Sequence, residues 1–217
     1  MKIKWYGHAA FGVTTAAGVR VCTDPYVAGS YDGALAYKPI ADRFDVVLQS
    51  HDHPDHGGAA ALAGNPVVLK DAGVHKVKGI EFVGTASWHD ANGGRDRGAN
   101  VVFTFAADGV TVAFLGDLGH VLTDEQAKAI GPADVVMVPV GGFFTIDAAA
   151  ARKVTAQLQA KVILPMHYKT PACGFPIAPV DDFLKGQANV QRVGAAEVEI
   201  TAADLRAAKV MVLDYVK

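Results

Sequence analysis

Gln49-Ser50-His51-Asp52-His53-Pro54-Asp55-His56 sets three histidines and two aspartates within eight residues, directly behind the apolar run Val46-Val47-Leu48. Imidazole and carboxylate together form the borderline ligand set that divalent transition metals favour. A loop leaving a strand end can also wrap an ion where a helix could not. The spacing His-x-His-x-Asp-His is therefore read as a metal-binding loop, because a merely solvated turn rarely concentrates histidine in this way and the strand-then-helix context is the right one.

Three further polar residues close apolar runs. Asp117 follows Val112 to Leu115, His167 follows Val162 to Leu164, and His89 ends the segment Ser87-Trp88-His89. Strand ends recur as delivery points, so these segments are expected to converge at one sheet edge, where α/β proteins usually bind ligands. If His51, His53 and His89 hold one ion, Asp55, His56 and His167 the other, and Asp117 bridges them, each ion has four protein contacts and room for a shared water. Two divalent metal ions are thus the expected cofactors. Zinc is the first choice, and Mn, Fe and Ni also tolerate this ligand set.

The array resembles the metallo-β-lactamase superfamily, with its His-x-His-x-Asp-His loop, later His, bridging Asp and final His in the same order. Gly7-His8-Ala9-Ala10-Phe11 and Thr23-Asp24-Pro25 are similar to the opening motifs of its compact ascorbate-6-phosphate lactonase-like branch. Leu115-Gly116-Asp117-Leu118-Gly119-His120 and Pro139-Val140-Gly141-Gly142-Phe143-Phe144 resemble a smaller subgroup within that branch. The resemblance implies a mixed α/β chain folded as a four-layered αβ/βα sandwich, with the metal ligands in the positions named above. The flavodiiron reductases of the superfamily carry an acid where His53 stands, which disfavours redox iron chemistry. The common zinc β-lactamases carry Cys where Asp117 stands, so antibiotic hydrolysis is not implied.

Residues 1–217 are expected to form a single domain, since 217 residues bury enough apolar surface without staples, and a composition 51% hydrophobic and 19% charged is globular. The net charge of −2 and scattered Lys and Arg argue against long nucleic acid as substrate. Cys22 and Cys173 form no disulfide framework or zinc spacing. With no signal-peptide pattern at the start and no apolar stretch long enough to span a bilayer, a cytoplasmic protein without membrane attachment is expected. Oligomeric state is left open.

Strands are predicted at Ile3 to Tyr6, Phe11 to Thr15, Val19 to Thr23, Val46 to Leu48 and Val67 to Leu69, with a helix beginning in Gly57 to Leu62. Further strands are predicted at Ile80 to Val83, Val101 to Phe105, Val110 to Leu115, Val135 to Val138, Val162 to Leu164, Val198 to Ile200 and Val210 to Leu213. Asp147 is placed as the cap of a helix carrying Val154 and Leu158, and two more helices are expected at Val180 to Leu184 and after Thr201.

Around the ligands, the resemblance favours a site role for His8 over that of a lone turn histidine. Asp24 and Asp90 are candidate acceptors for ligand imidazoles, which normally donate their other N–H to a carboxylate or carbonyl. His120, three residues beyond Asp117, is a candidate proton donor to a leaving group. Tyr168 and Lys169 follow a ligand directly and are candidate substrate contacts. The glycine-rich stretch Ala91 to Gly98 reads as a mobile loop whose Arg95 and Arg97 clamp an anion. His75 reads as a surface or packing residue.

Two metals sharing a water supply hydroxide at neutral pH, so the expected activity is hydrolysis of a small, anionic metabolite through a lactone or other ester, an amide or a phosphodiester. A metal-binding sensor or scaffold without turnover is the alternative. A phosphodiesterase acting on nucleic acid, or nuclease, would call for a basic exosite that the sequence does not display.

Overall fold

The computed structural model describes residues 1–217. Two mixed sheets face one another. The first contains β1 (Lys2–Gly7), β2 (Ala10–Thr14), β3 (Arg20–Thr23), β4 (Val46–Leu48) and β5 (Val67–Leu69). The second contains β6 (Gly73–Val77), β7 (Ile80–Trp88), β8 (Ala99–Ala107), β9 (Val110–Phe114), β10 (Val135–Pro139), β11 (Val162–Met166), β12 (Val190–Arg192) and β14 (Lys209–Val212). β13 (Glu197–Glu199) returns to the first sheet beside β1, giving the orders β13-β1-β2-β3-β4-β5 and β12-β14-β11-β10-β9-β8-β7-β6. Each sheet joins an antiparallel half to a parallel half, which is where β3, β4 and β5 run in one sheet and β9, β10, β11 and β14 in the other.

The period-two alternation of the strands sorts their side chains. On the first sheet Trp5, Phe11, Val13, Val21, Val46 and Leu48 turn inward and join Phe82, Phe103, Phe114 and Met137 of the second sheet in one core. Their neighbours Tyr6, Ala10, Cys22 and Val47 turn outward into a smaller core with Tyr26, Leu35, Tyr37 and Phe44. The outer layer on this sheet is the chain from Tyr26 to Phe44 together with a 3-10 turn at Gly58–Ala61, which stands where the sequence predicts a helix to begin. Gly58 itself lies against the Tyr26 backbone, where a Cβ would come within 2.5 Å of the Tyr26 carbonyl oxygen.

The outer layer on the second sheet is helical. α1 (Asp124–Ile130) lies by β7, while α2 (Ala148–Gln157) packs on β10 and on α3 (Val180–Leu184). Asp147 caps α2 by accepting the Ala150 N–H at 2.8 Å, and Val154 and Leu158 are fully buried, as the spacing predicts. α1 is absent from the sequence expectation, although Thr123 and Gln126 form a reciprocal capping box at its start.

The helix expected after Thr201 is a series of turns. Thr201 and Asp204 close one turn, and Lys209 then draws the Asp204 carboxylate toward β14 at 2.6 Å. With Leu205 as its one large apolar side chain, the segment has no stripe to bury. β6 and β12 are exposed edge strands, rich in polar residues, whose apolar pattern is too weak to read. No helix is long and apolar enough to cross a membrane.

The layered core carries the stability of this arrangement. Phe103→Ala, at a fully buried position, is expected to cost about 3–5 kcal/mol, whereas Val74→Ala on the exposed edge should stay within roughly 0.5 kcal/mol. Urea unfolding midpoints for the two variants check this, and equal shifts would contradict the layer assignment.

Candidate metal centre

The strands that build the two sheets end at the same edge. His8 follows β1, Asp24 follows β3, His51 follows β4, His89 follows β7, Asp117 follows β9 and His167 follows β11. The focal atom is Asp117 Oδ2. Around it lie His56 Nε2 at 3.1 Å, His89 Nε2 and His167 Nε2 at 3.3 Å, and His51 Nε2 at 4.0 Å. Three overlapping candidate ligand groups result, His51 with His53 and His89, Asp55 with His56, His167 and His8, and Asp24 with His51 and His56.

Asp117 is held by features of its own turn. Its N–H donates to Asn100 Oδ1 at 2.9 Å, while Asn100 Nδ2 donates to Ser87 Oγ and to the Leu115 carbonyl. Gly116 has φ +55°, and a Cβ there would come within 2.4 Å of Asn100 Oδ1 and Ser50 Cβ. At Gly119 a Cβ would approach the Asp90 nitrogen to 2.2 Å. Both glycines therefore let the Asp117 turn press against the loops that carry His51 and His89.

Asp24 organises the imidazoles from beneath. One of its oxygens accepts the Ser50 N–H, and the other accepts the Ser50 hydroxyl at 2.5 Å and His56 Nδ1 at 2.6 Å. His51 Nδ1 lies 2.9 Å from Ser50 Oγ. With the serine proton committed to Asp24, His51 Nδ1 is the donor in that contact. The network thus assigns protons to Nδ1 of both His51 and His56 and leaves each Nε2 lone pair facing Asp117.

The electrostatics suit a cation. Burial, reinforced by neighbouring imidazoles, pushes His51 down to about 2 and His8 down to about 4, so both are neutral at pH 7. His89 is lowered chiefly by burial. Burial opposes charge on His56 too, yet the carboxylates of Asp117, Asp55 and Asp24 outweigh it and raise its pKa. Burial resists ionisation of Asp55 and Asp117, but the surrounding imidazoles prevail and both stay below the usual carboxylate range. His51 Nε2, His56 Nε2, His89 Nδ1, His167 Nδ1 and Asp117 Oδ1 are buried without a hydrogen-bond partner. Of these, His51 Nε2 and His56 Nε2 face Asp117, and buried ring nitrogens with lone pairs are the donors a metal uses.

A cavity of about 230 Å³ opens on this cluster. His53, His89, Asp55, Asp117 and His167 form one wall, and Tyr31, Phe144, Phe175 and Arg97 form the other. A second cavity of about 220 Å³, lined by Lys2, Lys4, Arg20 and Arg43, shares no residue with the histidine cluster.

Several sequence expectations need correction. His8 is fully buried and is not among the residues lining the cavity; its Nε2 meets Asp55 Oδ2 at 3.1 Å, which places it behind that carboxylate, beside the candidate ligands. Asp90 accepts no ligand imidazole. Its carboxylate takes the backbone N–H groups of Asn92, Gly94, Asp96 and Arg97, so the stretch expected to be mobile is a tied loop. His120 is no free proton donor, because Nε2 accepts the Trp88 N–H at 3.3 Å and Nδ1 donates to the Val121 carbonyl. Tyr168 is buried against Trp5, and burial raises its pKa. The Lys169 ammonium is taken by the Phe175 carbonyl at 2.8 Å, outside the cavity lining. Arg95 is exposed away from the cavity, leaving Arg97 as its one lining cation.

Tyr31, Phe144, Phe175, Ser50 and Asn100 have no place among the sequence-predicted site residues. The aromatic residues lie far apart along the chain and no spacing links them. Asn100, opening an otherwise apolar run, is the one that carried a readable signal.

Two mixed sheets with a His/Asp cluster at the strand ends define the class of metallo-β-lactamase-like folds. Residues 2–167 match the beta-lactamase superfamily domain model, and the chain belongs to that superfamily. It is similar to a metal-dependent hydrolase of Pyrobaculum aerophilum, at 30% identity over 91% of this chain and 95% of that one. Another, from Pyrococcus abyssi, is 29% identical over 78% of this chain and 85% of its own length. Among solved structures, a Thermotoga maritima protein described as a candidate zinc-dependent hydrolase of the metallo-β-lactamase superfamily superposes with a TM-score of 0.82, at 39% identity, covering 98% of this chain and 97% of that one.

The Asp24 network yields a graded expectation. Asp24→Asn should weaken metal binding by roughly 10–100-fold, and Ser50→Ala by less, since it frees His51 alone. Competition titrations against a chromogenic chelator measure both; unchanged affinity in Asp24→Asn would remove its orienting role. For Asp90, burial resists ionisation but the four amides hold the carboxyl down at about 2. A depressed folded pKa means that the loop's stabilisation is present above the unfolded value near ~3.9 and is lost as pH falls through about 2. At pH 7, Asp90→Ala should speed amide exchange at Arg97 and Gly94, and unaltered protection would contradict the tie.

Proposed function

We propose that the protein is a metal-dependent hydrolase with a dinuclear centre, acting on a small anionic molecule through an ester or lactone, an amide or a phosphodiester bond. The observation that carries this reading is the convergence of His56, His89 and His167 Nε2 within 3.3 Å of the buried Asp117 Oδ2, with the Nε2 atoms of His51 and His56 left without hydrogen-bond partners. His51, His53 and His89 form one candidate ligand group and Asp55, His56 and His167 belong to another, together more donors than the four that one ion takes. His51, His53 and His89 would hold one ion, Asp55, His56 and His167 the other, with Asp117 between them. Zinc heads the candidates because the donors are imidazole and carboxylate only.

Divalent ions held by these residues would supply hydroxide near neutral pH and Lewis-acid polarisation of a scissile carbonyl or phosphoryl group. The chain does the rest. Asp24 keeps the proton on His56 Nδ1 and, through Ser50, on His51 Nδ1. His8 and the Tyr31 hydroxyl, 3.1 Å from the two Asp55 oxygens, fix that carboxylate from opposite oxygens. Burial and the Asp55 charge push Tyr31 up to about 12, so it remains a hydrogen-bond donor at neutral pH. Phe144 and Phe175 shelter the cavity from water, and Arg97 provides the positive end for an anionic group.

Metal analysis of the purified protein is expected to find two ions per chain at saturation, and Asp117→Ala to deplete both. The loaded protein should turn over at least one member of a lactone, ester, amide and phosphodiester panel. Fewer than two ions would reject the dinuclear centre; two ions without any turnover would support a sensor or scaffold instead.

A further inference from the structure

The cavity wall opposite the histidines is built of aromatic rings in sequence. Tyr31 meets Phe175 with ring centroids 5.3 Å apart and planes at 79°. Phe175 meets Phe144 at 5.7 Å and 70°, and Phe144 meets the outermost Phe143 at 4.7 Å and 74°. The row starts at the Asp55 carboxylate, through the Tyr31 hydroxyl, and ends beyond the cavity lining at Phe143, which is 64% exposed. Such a row offers alternating faces and edges, the surface to which another flat ring is complementary.

Arg97 stands over this wall, its guanidinium carbon 5.7 Å from the Phe144 centroid. Its backbone is fixed by the Asp90 carboxylate, and its side chain makes neither a hydrogen bond nor an ion pair with the protein. Asp96, the acid beside it, is engaged by Asn92 Nδ2 instead. The guanidinium therefore keeps its donors for a ligand while its position is set by the loop and the ring beneath it.

Size narrows the class. An apolar cavity of about 150 Å³ accommodates a benzene molecule. At about 230 Å³ this one has room for one ring and a short polar substituent beside the histidines. We propose that the site takes a single-ring aryl compound bearing a carboxylate, its ring on the Tyr31–Phe175–Phe144 wall and its anion on Arg97. The reading deepens the hydrolase proposal by naming a substrate class, and rests on it for the bond cleaved but not for the binding itself.

Phenylacetate, cyclohexylacetate, acetate and benzyl alcohol separate the contributions when titrated calorimetrically into the metal-loaded protein. Phenylacetate should bind about tenfold or more tighter than acetate and than benzyl alcohol, with cyclohexylacetate between phenylacetate and acetate. In Phe144→Ala the advantage of phenylacetate over acetate should collapse, and in Phe144→Leu, which keeps an apolar side chain, phenylacetate should lose its lead over cyclohexylacetate. Arg97→Gln should erase the advantage over benzyl alcohol. Equal binding of acetate and phenylacetate would show that carboxylates bind through the metals alone and would overturn the proposal, as would equal binding of the two ring acids. These affinities are read without turnover, so an inert protein that binds in the expected order defeats the hydrolase reading and leaves the ring site standing.

Discussion

Everything at the functional edge of this protein depends on one carboxylate, Asp117, set among imidazoles and sealed from water. Its Oδ2 lies 3.1 to 3.3 Å from three ring nitrogens, in a region where burial resists any uncompensated charge. A hydrogen-bonded interior would have donated protons to those lone pairs. Here the protons sit on the far side of His51 and His56, held by Asp24 and Ser50, so the near side is left for a cation. The chain sustains such a costly concentration of polar groups because the two cores around it bury large aromatic and aliphatic surfaces.

The sheets explain how residues spread from position 8 to position 167 meet. Six strands deliver a polar residue beyond their carboxyl ends, and the face-to-face arrangement brings both sets to one edge. Precision then comes from the turns. Gly116 admits the Asn100 and Ser50 side chains and Gly119 the His89–Asp90 backbone, at distances that any side chain would prevent, and Asn100 ties the Asp117 turn to β7 and β8. Catalytic geometry of this kind is strict, since supporting residues decide whether ligands stand at the required distance.

Much of this was legible in the sequence, for physical reasons. A dense His/Asp array behind an apolar run has few uses other than metal binding, and the same logic marked His89, Asp117 and His167 as polar residues at strand ends. The core strands announced themselves through continuous apolar runs. What could not be read was contact between residues with ordinary local signals. Tyr168 follows a ligand yet turns inward to Trp5, because the chain leaves β11 at Met166 and His167 adopts a left-handed backbone that redirects the next side chain into the core. Asp90 looked like a partner for an imidazole, but the nearby glycine-rich turn offered it four amides. His120 lies near Asp117 in sequence but is consumed by the backbone of Trp88 and Val121. The aromatic wall is assembled from three distant loops, and no periodicity could have foretold it.

The proposed pair of metal ions at the Asp117 cluster is open to direct observation. Anomalous diffraction from zinc-loaded crystals, recorded on either side of the zinc absorption edge, tests it directly. Two peaks are predicted, flanking the Asp117 carboxylate, one among His51, His53 and His89 and the other among Asp55, His56 and His167. A single peak at full zinc loading, or peaks remote from Asp117, would contradict it.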